Sequence, residues 1–312
     1  MVERDYVLLD VFTRMPFGGS RLTLFPEGGG LSTDLMQTIA TEMGTPETAF
    51  VTGADAASRQ ARLRIFTPSA EVPLSGLSVI GATCALDARG LIARDEPATT
   101  FTWRTETGFH PVTLRYENGD TLFSMAHEPA AFIGQYYQRG KVARALGLSE
   151  QDIAITGMPC EIVSAGLPIH IVPLATLDTV RDIKLSSAGA REIVKDLGFG
   201  DLFVFTCETA SEETDVHCRM FAHGFGIPED AATGSAVGAL IAYMIKHRLI
   251  PSGPRARIVC EQGLAMGRPS RLFVEADVED GKAVAIHVGG HCVSIGEGRI
   301  TFDPELMTRR DP

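Results

Sequence analysis

A diffuse internal repeat constrains this chain more than any single motif, because it requires two similar structural halves. The second half reproduces the order of elements in the first, though few of its letters. Segment 19–26, GSRLTLFP, matches 166–173, GLPIHIVP; each is a small-residue turn followed by an alternating strand ending in proline. An amphipathic helix is expected after each strand. Leu35, Met36, Ile39, Ala40 and Met43 form its apolar face in one half, and Ile193, Val194 and Leu197 in the other, at helical spacing. Gly44 and Gly198 follow and suit the left-handed conformation that ends helices. Two short strands, ETAFVT at 47–52 and DLFVFT at 201–206, then open on a carboxylate, and ARLRIF at 61–66 and VHCRMF at 216–221 continue each half.

Each half next crosses a turn-rich loop into a small-residue stretch, SGLSVIGATCALDARG at 75–90 and TGSAVGALIAYMIKHR at 233–248. Helices this apolar on all sides are expected to be enclosed by sheet. Strands around 99–126 and 255–288 finish the halves. The expected fold class is α+β, with two pseudo-symmetric lobes, each a curved sheet or barrel around a central buried helix. The N-terminal lobe is expected over 1–120 with roughly 286–312 returning to it, and the C-terminal lobe over 121–285. Two lobes also suit 312 residues, since single cores stop growing at about 250–300.

Composition narrows the partners. With 39 acidic against 28 basic residues the net charge is −11, which opposes a phosphate backbone and excludes nucleic acid as an expected partner. No apolar run reaches the roughly 18 residues of a membrane span, and MVERDYVLLDVF is charged within its first five residues. No membrane partner and a cytoplasmic location are therefore expected. The six cysteines, Cys84, Cys160, Cys207, Cys218, Cys260 and Cys292, form no CxxC pair and have no histidine at metal-ligand spacing, so no metal site is expected. Cys292 follows His291, but neighbours on a strand point to opposite faces, and the thiol reads as ordinary.

A pseudo-twofold between the lobes would turn the two buried-helix N-termini toward one cleft, where their orphan N–H groups suit a carboxylate. Ser235 adds a hydroxyl there; the alternative reading of TGSA is a plain helix cap. Glu47 opens a strand beside Ala49, Phe50 and Val51, where partial desolvation would fit it for general-base work; otherwise it is a solvated turn residue. Its counterpart Asp201 reads as structural. Asp230, in GIPEDAATGSA, is either a turn residue or a cleft group, and Glu229 is expected to point outward. Glu71 is read as the analogous acid of the first half, its role open. His217 and His223 have no partner spacing and read as structural. Without a GxSxG elbow, P-loop or GxGxxG, cofactor-free proton transfer is the best-matched chemistry.

Several segments together resemble the phenazine-biosynthesis isomerase (PhzF-like) family, which has the diaminopimelate epimerase fold. They are LDVFTRMPFGGS at 9–20, ETAFV at 47–51, RIFTPSAEVPLSG at 64–76, EDAATGSA at 229–236 and EQGLAMGRPS at 261–270. The resemblance implies a homodimer of two-lobed subunits, no cofactor, and isomerisation of a small carboxylate-bearing substrate such as dihydrohydroxyanthranilate. It implies that Glu47 is the catalytic acid/base, joined by Asp230. Gly76 and Gly234 would offer N–H groups to the substrate carboxylate, with Ser235 beside them.

The chain departs from the family at three places. Leu77 and Ser78 stand where the family has His-Pro, Ser20 and Arg21 where it has Asn-Pro, and Ala231 replaces a proline. Ser20, Leu77 and Ser78 are thus expected at substrate-binding positions, with an imidazole replaced by an apolar side chain. Two further readings stand beside the isomerase. One is an amino-acid epimerase or racemase using the carboxylates of Glu47 and Asp230, since Cys84 lies two turns inside its helix and excludes a two-thiol mechanism. The other is a non-catalytic small-molecule binder.

Overall fold

Both sets of repeated elements form in the computed structural model, which describes residues 1–303 apart from 56–58, 96, 118, 200, 223–226 and 252. Two units result, Met1–Met125 joined by the segment from Gly289 onward, and Ala126–Val288. His223 lies outside the described residues.

The first unit contains β1 (Val2–Val11), β2 (Ser20–Phe25), α1 (Thr33–Met43), β3 (Glu47–Asp55), β4 (Gln60–Phe66), β5 (Glu71–Val72), α2 (Gly76–Ala88), β6 (Ala98–Thr105) and β7 (Gly108–Glu117), and β8 (Asp120–His127) leads out of it. β1 runs antiparallel to both β2 and the C-terminal strand Cys292–Phe302. β2 is parallel to β3, β3 antiparallel to β4, β4 parallel to β6, and β6 to β8 form a meander. α2 packs against β1, β2, β3, β7 and the C-terminal strand, and ten of its 13 residues are buried. Among its buried polar residues, Thr83 Oγ1 donates to the Val79 carbonyl at 2.7 Å and accepts from Trp103 Nε1 at 2.8 Å. Gly81 permits the close approach, since a Cβ there would come within 2.5 Å of Leu22 Cδ2 and 2.9 Å of Val11 Cγ2. α1 starts at the cap Ser32 and stops at Gly44 in the left-handed region (φ 62°). It buries Met36, Ile39 and Ala40 against Phe25, Phe50 and Phe66. Burying a Met or Ile side chain contributes about 1.5–3 kcal/mol.

The second unit contains β9 (Ala131–Gln135), α3 (Arg139–Leu146), α4 (Glu150–Ala154), β10 (Glu161–Ser164), β11 (Pro168–Pro173), α5 (Leu177–Arg181), α6 (Ser187–Leu197), β12 (Asp201–Thr206), β13 (Val216–Ala222), β14 (Ile227–Asp230), α7 (Gly234–Lys246), β15 (Arg255–Gln262), β16 (Ser270–Glu279) and most of β17 (Lys282–Gly290). Its pairing repeats the first unit's. β10 and β11 are antiparallel, β11 and β12 parallel, β12 and β13 antiparallel, β13 and β15 parallel, and β15 and β16 antiparallel. α7 packs against β10, β11, β15 and β16, with Ala236 to Ile245 buried. The short helices α3, α4 and α5 have no counterpart in the first unit. α4 begins in a capping box formed by Ser149 and Asp152, and α3 and α6 share a core around Val142, Leu146 and Ile193.

The repeat extends to side chains and corrects two expectations. Arg219 grips Glu229 through two bonds of 2.9 Å and lies over the Phe221 ring at 4.9 Å. Glu229 therefore faces Arg219 and does not point outward. Arg64 grips Glu71 through two bonds of 2.7 Å and lies over Phe66 at 5.2 Å. Glu71 is thus the counterpart of Glu229 and not of Asp230. His217 is structural: its buried Nδ1 meets Glu261 Oε1 at 2.7 Å, and Thr214 Oγ1 and the Ala210 amide also donate to that carboxylate. Burial pushes the Cys292 thiol well above its ordinary range, and the adjacent Cys84 adds to this, so Cys292 is not an activated thiol. No helix among the described residues is long and apolar enough to cross a membrane.

Candidate active site

Glu47 is positioned from both sides in sequence. Gly44 ends α1, and Thr45 Oγ1 donates to the Glu47 carbonyl at 2.8 Å. Thr45 also bonds Thr23 at 2.9 Å and Thr48 at 3.3 Å in a buried hydroxyl cluster. The parallel register with β2 sets Glu47 against Leu22. Its side chain accepts a short bond from Ser78 Oγ, at Oε2 and 2.6 Å. Ser78 is fully buried and is the third residue of α2, so the carboxylate lies at the first turn of that helix, whose partial positive end attracts negative charge.

The remaining candidates of this unit fall nearby in structure to different degrees. Gly76 and Leu77 are the first two residues of α2; Leu77 is buried, and a Cβ on Gly76 would approach only Met125 Cε, at 3.7 Å. Ser78 directs its hydroxyl at Glu47. Ser20 is buried at the start of β2, opposite Val11, after a turn that needs Gly19 at φ +60°, where a Cβ would meet the Val11 carbonyl oxygen at 2.1 Å. Asp10 holds the turn, accepting from the Phe17 amide at 2.6 Å and from Arg21 Nε at 3.4 Å.

In the second unit, Asp230, Gly234 and Ser235 are brought together at the start of α7. Asp230 Oδ2 accepts from Thr233 Oγ1 at 2.6 Å, and Oδ1 from the Ala232 amide at 3.4 Å. Burial pushes the Asp230 carboxyl up, with the bonds from Thr233, Ala232 and Ala231 acting against it. Two residues outside the sequence-based set hold this loop. Gln262, fully buried, donates from Nε2 to the Asp230 carbonyl at 2.8 Å and to Thr233 Oγ1 at 3.1 Å, and accepts from the Thr233 amide at 3.3 Å. Ser270 Oγ donates to the Ala231 carbonyl at 2.6 Å. The segment EQGLAMGRPS is therefore the brace of EDAATGSA. Gly263 allows it, because a Cβ there would meet the Arg268 and Ala231 carbonyl oxygens at 2.3 and 2.8 Å.

This brace bears on the reading of TGSA as a plain helix cap. α1, α4, α5 and α6 each start at a Ser or Thr whose side chain accepts an amide of the first turn. α2 and α7 also start after hydroxyl residues, Ser75 and Thr233, and neither makes that bond. The Thr233 hydroxyl is engaged by Asp230 and Gln262 instead. The two buried helices thus keep uncapped N-termini, whose N–H groups and dipole suit an anion. Among the described residues no group of three or more His, Cys, Asp or Glu is placed to hold a metal ion.

One further polar group of the second unit lies at α7, and no spacing in the sequence marks it. His127 Nε2 would be 3.8 Å from a Cβ built on Gly234, and its Nδ1 meets the Ala165 carbonyl at 3.4 Å.

Comparison with known proteins agrees with this architecture over the whole chain. The phenazine biosynthesis-like protein family, PhzC-PhzF, matches residues 9–298. An uncharacterized isomerase of Mesorhizobium japonicum is 32% identical over 305 residues, covering 96% of this chain and 99% of its own. The trans-2,3-dihydro-3-hydroxyanthranilate isomerase of Pseudomonas aeruginosa is 30% identical over 294 residues, covering 94% and 98%. The crystal structure of a Bacillus anthracis phenazine biosynthesis protein of the PhzF family superposes with a TM-score of 0.88 at 27% identity, covering 97% of this chain and all of that one. With its repeated α+β units of diaminopimelate epimerase type, this chain belongs to the phenazine biosynthesis-like (PhzF) family of isomerases.

Proposed function

We propose that the protein is a cofactor-independent isomerase that moves a proton between carbons of a small carboxylate-bearing substrate, with Glu47 as the acid/base. The observation that carries this reading is the 2.6 Å bond from buried Ser78 to Glu47 Oε2 at the first turn of α2. It fixes a carboxylate where a substrate C–H can be presented, and a carboxylate that removes a proton can return it at a second carbon. The uncapped N–H groups at Gly76, Gly234 and Ser235 receive the substrate carboxylate, and Asp230 orients a polar substituent. Delocalisation of the carbanion into a double bond conjugated with the carboxylate makes the C–H acidic enough for a single base.

Dihydrohydroxyanthranilate, on which the Pseudomonas aeruginosa relative acts by name, leads the substrate panel, followed by unsaturated carboxylates and amino acids. Conversion is followed by NMR and mass spectrometry. A product with a moved double bond supports the proposal. Inversion of a centre without double-bond movement would instead identify an epimerase, and ligand-induced stabilisation without any conversion would identify a binder.

The brace gives a separate expectation. Gln262→Ala frees the Thr233 hydroxyl oxygen to accept from an amide of its own helix while its hydrogen stays on Asp230, and a Ser/Thr cap is worth about 1 kcal/mol. KM is expected to rise roughly 5-fold with kcat little changed, reflecting that energy, and adding Thr233→Val should restore KM because no hydroxyl remains to cap. Steady-state kinetics on the single and double variants read this directly; a double variant no better than Gln262→Ala contradicts the cap competition.

A further inference from the structure

Thr45 is a buried hydroxyl on the lead-in to half-buried Glu47, and its bonds fix where the hydrogens of its cluster sit. A carbonyl oxygen only accepts, so the 2.8 Å contact with the Glu47 carbonyl takes the Thr45 hydrogen. The Thr23 hydroxyl at 2.9 Å and the Thr48 hydroxyl at 3.3 Å must then both donate to Thr45 Oγ1, which uses its two lone pairs. Thr23 and Thr48 are paired in the parallel register of β2 and β3, and both are fully buried. One oxygen thus joins the two strands to the peptide group of Glu47. The chain ahead of that group is stiff as well. Gly44 stops α1 in the left-handed region, and Pro46 follows Thr45, which fixes its own φ and holds the residue before it extended.

We propose that Thr45 is a positioning residue: by holding the Glu47 carbonyl it sets the direction of the Glu47 Cα–Cβ bond, and so where the carboxylate is presented beside α2. The proposal rests on the reading of Glu47 as the acid/base given under Proposed function. Ser78 acts on the carboxylate itself, whereas Thr45 acts on the backbone behind it. Its contribution is therefore to the rate of proton transfer and not to substrate binding.

Steady-state kinetics, with urea unfolding of each variant, tests this on dihydrohydroxyanthranilate or on the member of the substrate panel that wild type turns over. Thr45→Val removes the hydroxyl at nearly constant volume. Its kcat is expected to fall about 10-fold with KM unchanged, less than the roughly 100-fold cost of a 1 Å misplacement. Thr45→Ser keeps the donor and should restore most of kcat. Thr45→Val also deprives the Thr23 and Thr48 hydroxyls of their shared acceptor, so a loss of stability accompanies it. The triple variant Thr23→Val/Thr45→Val/Thr48→Val separates the two effects. Replacing every hydroxyl of the cluster by a methyl of the same shape should recover the stability, while kcat stays low because the Glu47 carbonyl still lacks the Thr45 donor. Recovery of kcat together with stability, wild-type kcat in a folded Thr45→Val, or a low kcat in Thr45→Ser would overturn the assignment. Glu47→Gln keeps the two failures apart. Near wild-type turnover in that variant, or no turnover by wild type, overturns the acid/base reading and this assignment with it, whereas an inactive Glu47→Gln beside an unimpaired Thr45→Val overturns the positioning role alone.

Discussion

Glu47→Gln is expected to lower turnover by about 10²- to 10⁴-fold, the range for a positioned acid/base, while ligand binding and stability stay near wild type. The glutamine keeps an oxygen that can accept from Ser78 Oγ, so the 2.6 Å contact with β3 survives in kind and only the exchangeable proton position is lost. Ser78→Ala is the informative companion. It retains the carboxylate but removes the bond that aims it, so its fall in kcat should be smaller and its pH profile should keep the shape of wild type. Near wild-type turnover in Glu47→Gln would remove Glu47 from the chemistry altogether.

The second large effect is on stability and concerns His170 in β11. This residue is completely buried, neither ring nitrogen has a hydrogen-bond partner, and its ring stands edge-on to Tyr136 at 5.0 Å. Burial pulls its pKa down to about 4. As pH falls below the ordinary histidine value of about 6.5, the unfolded chain takes up a proton that the native state refuses, so stability falls with falling pH until about pH 4 is reached. His170 accounts for a loss of about 2 kcal/mol between pH 7.5 and 5, at 1.4 kcal/mol for each pH unit below 6.5. His170→Leu, similar in volume, should therefore raise stability by about 1–3 kcal/mol at pH 7.5 by removing unsatisfied polar atoms, and by more at pH 5. Urea unfolding of both proteins at the two pH values checks this. Other histidines, such as His110 and His291, are also held low by burial, so the wild-type minus variant difference is the quantity to read. A difference that does not widen at pH 5 contradicts the account.

The fold was largely legible because its information is local and occurs twice. Gly44 and Gly198 mark helix ends and adopt φ of 62° and 79°, and the near-continuous apolarity of 75–90 and 233–248 indicated enclosure by sheet. What the sequence hid depends on register between distant segments. Gln262 and Ser270 matter because β15 and β16 carry them to the loop at 230–233, and no periodicity marks either. The reading of TGSA was open for the same reason: whether Thr233 caps its helix depends on Asp230 and on Gln262, 29 residues away. Glu71 was matched to the wrong acid of the repeat because letters aligned it near Asp230, whereas the arginine opposite each strand shows Glu229 as its counterpart. His127 had no partner spacing, and Ala165 and Gly234 meet it only after the chain folds.

The most direct test of the central claim is solvent-isotope exchange. Wild type and Glu47→Gln are incubated in heavy water with each member of the substrate panel, and label and product are followed together by NMR and mass spectrometry. The account predicts product from a carboxylate-bearing substrate with wild type only, with deuterium at the carbon that receives the proton whenever the Glu47 proton exchanges with solvent before delivery. Product formed equally by Glu47→Gln, or binding of these acids by wild type with neither product nor label, would contradict it.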